Sequence, residues 1–117
     1  MSLPVIVGIG LLGGLGALAR FGLDVLVSRH AGRTFPWGIL VVNLTGALAL
    51  GLLAGADVTG DAYLLVGTGL LGAYTTFSTW MVESRRLDIR RGAANVLVSL
   101  LAGLLAAWVG QQAGGLL

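Results

Sequence analysis

The sequence contains no cysteine and no lysine, a single histidine, two prolines, and only 10% charged residues in a chain of 117. Without cysteine there is no disulfide, no thiolate metal site and no cysteine nucleophile. The lone histidine, His30, has no second His or Cys with which to hold a transition metal. No base lies near the serine and threonine hydroxyls to activate one for nucleophilic attack. The glycines match neither a phosphate loop, which needs a lysine, nor a dinucleotide fingerprint following a strand. These absences speak against an enzyme. The shortage of charge speaks against a soluble protein, because soluble domains carry about a quarter charged residues. A chain this short also has too much surface relative to core to hide its apolar side chains from water.

What is present is apolar and small: 56% of residues are hydrophobic, 20 are glycine, and the mean hydropathy is +0.95. Lipid as solvent resolves the conflict, and membrane helices use glycine to bring their backbones close together. Four apolar stretches, about residues 3–27, 37–56, 62–82 and 93–112, each meet the roughly 20 residues that cross about 30 Å of hydrocarbon. The first lacks the basic n-region of a signal peptide and is longer than its usual apolar core. It reads as a membrane span. The breaks at 28–36, 57–61 and 83–92 are short, so neighbouring helices run antiparallel. The expected fold is all-α, a single transmembrane domain of four helices.

All seven basic residues are arginines. Arg29, Arg33, Arg85, Arg86, Arg90 and Arg91 fall in the first and third loops, and Arg20 lies near the same end of its helix. The termini and the Asp57–Asp61 loop carry none. Positive loops stay in the cytoplasm, which puts both termini outside. Arginines at helix ends set topology, so the basic pI of 9.9 points to no nucleic-acid partner.

Four places hold polar groups where lipid disfavours them. Asn43 lies within the second span, where it either bonds a neighbouring helix or faces water. In the segment Gly72-Ala-Tyr-Thr-Thr-Phe-Ser-Thr-Trp80, preceded by Gly67 and Gly69, the hydroxyls of Thr75, Thr76, Ser78 and Thr79 flank Phe77. A single hydroxyl hides by bonding its own helix; four in five positions are harder to explain so. Membrane helices unwind at such glycine-interrupted segments, and exposed backbone there needs protein or water beside it. Freed carbonyls can hold a small cation, and amides and hydroxyls an anion. Arg20 has Asp24 one turn later, and either pairs with it while snorkelling or lends positive potential to a vestibule. Asn95 and Ser99, one turn apart, either line a polar track or bond a neighbouring helix. Most first-span glycines, and Gly46, Gly51 and Gly55 of the second, read as packing residues.

The segment 72–80 resembles the signature of the CrcB/Fluc family of fluoride channels. The resemblance extends over the chain: Gly13-Gly-Leu-Gly-Ala-Leu-Ala-Arg-Phe21 is similar to the family's first-span motif. Phe35-Pro-Trp-Gly-Ile-Leu-Val-Val-Asn-Leu-Thr-Gly46 is similar to its second. The resemblance implies an antiparallel dimer in the cytoplasmic membrane with two narrow pores that pass fluoride outward. It also implies a third helix broken near Gly72–Thr79, and a structural Na⁺ at the crossing of the two breaks. By that resemblance the carbonyls of Gly72 and Thr75 hold the Na⁺, and Phe77 and Trp80 are rings whose edges meet fluoride. Asn43, Thr76, Ser78 and Thr79 line the pore, Arg20 sits in the vestibule, and Glu83 is a possible conduction carboxylate.

Two features depart from the family pattern. The second ring is Trp80 instead of Phe, which adds an N–H donor and bulk. The arginine bias of seven to none also fits a fixed orientation better than dual insertion. The chain then pairs either with itself or, more in keeping with the bias, with an oppositely oriented paralogue. One alternative reading is a non-conducting or specialised partner subunit. Another is a small multidrug-type transporter, whose mechanism needs an acid deep in the first span; none precedes Arg20.

Overall fold

The computed structural model describes all 117 residues, and every regular element in it is helical. Helix α1 spans Leu3–Ala31 and α2 spans Trp37–Gly55. Helix α3 covers residues 60–74, beginning with the turn Gly60–Ala62 and ending with Gly72–Tyr74. Between these turns, Tyr63–Leu71 is wound as a π-helix. After a non-helical step at residues 75–77 the chain resumes as α4, Ser78–Arg86, and finishes with α5, Ile89–Gly114.

Three of these helices, α1, α2 and α5, are uninterrupted and long and apolar enough to cross a membrane. The third apolar stretch is helical on both sides of its break. Helix α1 runs past residue 27 because its polar end satisfies itself. The Ser28 hydroxyl donates to Asp24 Oδ1 at 3.3 Å, and His30 Nδ1 lies 2.9 Å from the Leu26 carbonyl. Gly32, at φ +80°, stops the helix. Helix α5 starts before residue 93 because Asp88 caps it, accepting the Arg91 amide at 2.8 Å. An N-cap carboxylate satisfies an amide that the first turn leaves without a partner.

Only fifteen residues are buried. They are Val5, Ile39, Leu40, Val42, Leu71 and Asn95, together with glycines 16, 38, 46, 51, 67, 69, 92, 110 and 114. Backbone meeting backbone therefore makes the core. Helices α2 and α5 run parallel, and their contact is reciprocal. Gly51 and Gly55 receive the carbonyls of Ala107 and Gln111, while Gly110 and Gly114 receive those of Leu48 and Leu52. None of the four has room for a Cβ. Helices α1 and α3 pair in the same parallel sense, with Gly16 seated on the Leu70 carbonyl and Gly69 against the Ile9 backbone. Lipid tails are as apolar as leucine, so such close approach, not burial from water, holds membrane helices together. The large apolar side chains point outward, among them Leu11, Leu18, Phe21, Leu101, Leu104 and Trp108.

Candidate functional site

The break after Tyr74 is built by three residues of α2. Asn43 faces Thr76 as a neighbouring strand would: its Oδ1 accepts the Thr76 amide at 2.9 Å, and its Nδ2 donates to the Thr76 carbonyl at 3.0 Å. Thr45 holds the residue before the break. Its hydroxyl donates to the Val41 and Val42 carbonyls and accepts from the Tyr74 hydroxyl at 2.7 Å. Gly46 leaves the space that the Thr75 methyl fills. Thr75 is extended, at φ −76° and ψ 158°, and ends the helix. Asn43 thus bonds the backbone of a neighbouring element.

The hydroxyl run divides into separate tasks. Thr75 Oγ1 bonds back to the Leu71 carbonyl at 3.1 Å. Thr76 Oγ1 accepts the Thr79 amide at 3.2 Å and so caps the start of α4. Ser78 is exposed and Thr79 half-buried.

The carbonyls of Gly72 and Thr75 accept no hydrogen bond. In a continuous α-helix they would take the amides of Thr76 and Thr79, but those amides are bound by Asn43 and Thr76. Two free carbonyl oxygens suit a hard cation in donor chemistry. They are too few to enclose one alone.

Beside the break lies an open groove of about 350 Å³ lined by Asn43, Thr75, Thr76, Phe77, Trp80 and Ser99, with Ala47, Leu50, Leu100, Gly103 and Leu104 completing an apolar wall. Phe77 is 70% exposed and meets Trp80 edge to face, centroids 5.6 Å apart and planes at 77°. The Trp80 indole nitrogen is the one buried side-chain polar atom without a partner. Ser78 and Thr79 do not line this groove.

A polar ladder runs behind it. Ser84 donates to the Trp80 carbonyl at 2.8 Å, Asn95 donates to Ser84 at 2.7 Å, and Ser99 donates to Asn95 at 3.3 Å. Asn95, only 1% exposed, thus ties α5 to α4, and Ser99 carries the ladder to the groove.

Glu83 lies elsewhere, in a polar hollow of about 150 Å³ with Asp24, Ser28, Arg33 and Arg86. Its carboxylate is 3.4 Å from Arg86, in the single ion pair. Arg20, half-exposed, lines neither cavity and does not pair with Asp24. The Asp24 carboxylate instead turns to Ser28 and packs on Gly38, at the start of α2. There a negative charge faces the positive end of a helix dipole. Sequence reading passed over Thr45, Tyr74 and Ser84; a hydroxyl on each of two facing helices was the available signal for the first two.

A sequence profile described as "CrcB-like protein, Camphor Resistance (CrcB)" matches residues 7–111. The chain is 50% identical over 115 residues to "Fluoride-specific ion channel FluC 2" of Mycobacterium tuberculosis (strain ATCC 25618 / H37Rv), covering 95% of this chain and 91% of that one. It is 46% identical over 121 residues to "Fluoride-specific ion channel FluC 1" of Geobacillus kaustophilus, covering 97% and 99%. To "Fluoride-specific ion channel FluC 1" of Symbiobacterium thermophilum it is 44% identical over 117 residues, covering 91% and 94%. With the match running through all the helices and across the break, the chain belongs to the CrcB (FluC) family of multi-pass membrane proteins.

Proposed function

We infer that this chain is a subunit of a fluoride-specific channel that lets fluoride leave the cell passively and so lowers its toxicity. One observation carries the reading: a third helix broken at Thr75–Phe77 beside a groove, in a chain half identical to proteins named fluoride-specific ion channels. It is a channel and not an enzyme. Membership in this family also sets aside the small multidrug-type transporter.

A small anion gives up its water only where fixed donors replace that water. After serving Thr76, the Asn43 amide retains one hydrogen. The Thr76 hydroxyl accepts from Thr79 and keeps its own hydrogen to donate. Phe77 and Trp80 offer ring edges, which are electropositive. In this reading Asn43, Thr76, Phe77 and Trp80 meet the ion in the groove. Ser78 and Thr79 extend the path along α4, Arg20 draws anions to a vestibule, and Glu83 stands near one mouth. Hydrogen fluoride enters as a neutral molecule and dissociates inside. The anion then runs out down its gradient.

The subunit works as an antiparallel dimer. Phe77 and the break need a second chain beside them, and the free carbonyls of Gly72 and Thr75 take a structural Na⁺ whose other ligands come from that chain. When bound, the ion supplies fixed positive charge at the centre of the assembly. All seven arginines gather at one end of the molecule, which favours one orientation, termini outside, and a partner that is an oppositely oriented paralogue. Trp80 supports a second reading, a specialised or non-conducting partner subunit.

Fluoride efflux from liposomes, with chloride as control, tests both. Selective release by this chain alone supports a homodimeric channel. Silence relieved only by co-expression with a paralogue supports the partner reading. Silence with every partner overturns the channel function.

A further inference from the structure

We propose that Asn43 and Thr76 are positioning residues for the cation at the break, because their side-chain oxygens take the two amides that would otherwise close on the Gly72 and Thr75 carbonyls. The inference rests on the sodium reading above and says what keeps those two oxygens available.

In an α-helix the carbonyl of residue 72 accepts the amide of residue 76, and that of residue 75 accepts the amide of residue 79. Both amides are bound by side chains instead. Thr76 N–H goes to Asn43 Oδ1 at 2.9 Å, and Thr79 N–H goes to Thr76 Oγ1 at 3.2 Å. No backbone or side-chain donor reaches either carbonyl. A free carbonyl is costly away from water, and so is a bare cation. Bringing the two together relieves both costs, and that requires the competing amides to be held elsewhere.

The arrangement fixes its own orientation. Asn43 Nδ2 donates to the Thr76 carbonyl at 3.0 Å, so the amide cannot flip without setting two donors and two acceptors against each other. Thr76 is the common member of both diversions. Its amide goes to Asn43, its carbonyl takes Asn43, and its hydroxyl takes Thr79. One residue thus links the end of α3 to the start of α4.

The test is thermal unfolding of the assembled protein in detergent across a Na⁺ titration, with N-methyl-D-glucamine holding ionic strength constant. Asn43→Ala and Thr76→Val are each expected to raise the half-saturating Na⁺ concentration about tenfold or more, as loss of a group that orients a metal ligand commonly does. Thr76→Ser keeps the oxygen and should stay near wild type. Thr45→Val removes a neighbouring bond at the same break without touching either amide. It should lower the unfolding temperature at every Na⁺ concentration and leave the midpoint in place. Midpoints for Asn43→Ala and Thr76→Val that move no further than that of Thr45→Val would overturn the proposal while leaving the sodium reading intact. A wild-type protein indifferent to Na⁺ would remove the sodium reading, and this inference with it. Should Asn43→Ala fail to fold, the Thr76→Val and Thr76→Ser pair decides the matter.

Discussion

The Tyr74 hydroxyl donates to Thr45 at 2.7 Å, joining the last helical residue before the break to the helix that supports it. Tyr74→Phe and Thr45→Val should each lower stability by about 1 kcal/mol. Because the two groups share one bond, the double variant should cost no more than the worse single one. Thermal unfolding of the three variants checks this. Additive losses would mean that the hydroxyls act independently.

Trp80 carries a different cost. Its buried indole N–H has no partner within the chain, and an unmet buried donor costs about 1–3 kcal/mol. Trp80→Phe removes that donor at the expense of some ring area. The expected unfolding temperature is equal to or above that of wild type, measured on purified protein. A clear fall would show that the lost ring area outweighs the unmet donor.

The glycine contacts make a contrast within one residue type. Gly51→Val and Gly110→Val put a side chain where the carbonyls of Ala107 and Leu48 already lie. Each should cost about 3 kcal/mol or more. Gly10 has open space around it, so Gly10→Ala should be neutral, or stabilising by up to about 1 kcal/mol through helix propensity. Unfolding in detergent compares the three, and equal losses would refute the packing account.

Asp24 tests the start of α2. Asp24→Asn removes the charge beside that helix end and should cost about 0.5–1 kcal/mol at low ionic strength. The loss should shrink as salt is added. A salt-independent loss would assign the effect to shape.

Orientation follows from charge. Cysteines placed in the arginine-bearing loop at residues 28–36 should be labelled only from the cytoplasmic side of intact cells. Comparable labelling from both sides would show dual insertion and overturn the fixed orientation.

Much of the architecture was legible because it depends on length and polarity. Apolar runs, polar interruptions and the arginine loops need no tertiary information. The break itself was legible in part, since a glycine-rich approach followed by hydroxyls marks a helix that has reason to stop. The π-helical winding of Tyr63–Leu71, which packs on α1 at Gly69 and Leu70, was not, because its residues carry no spacing that sets it apart from an α-helix. The task of Asn43 was equally hidden. A sequence shows an amide in a span, but not that residue 76 lies across from it. Thr75, Thr76, Ser78 and Thr79 form one hydroxyl run in the sequence, yet two bond locally to backbone and only Thr75 and Thr76 reach the groove. Arg20 and Asp24 sat at pairing distance in sequence, and the start of α2 claimed the acid instead.

The glycine core has a consequence for inheritance. Every amino acid reachable from a glycine codon by one base change adds at least a methyl group, and many add a charge. At Gly51, Gly55, Gly110 and Gly114 a facing carbonyl already occupies that space. Point mutation therefore has no small step to offer there, while the outward leucines can exchange with other apolar residues at little cost. Descendants of this chain should change their lipid-facing surface freely and keep these four positions as they are.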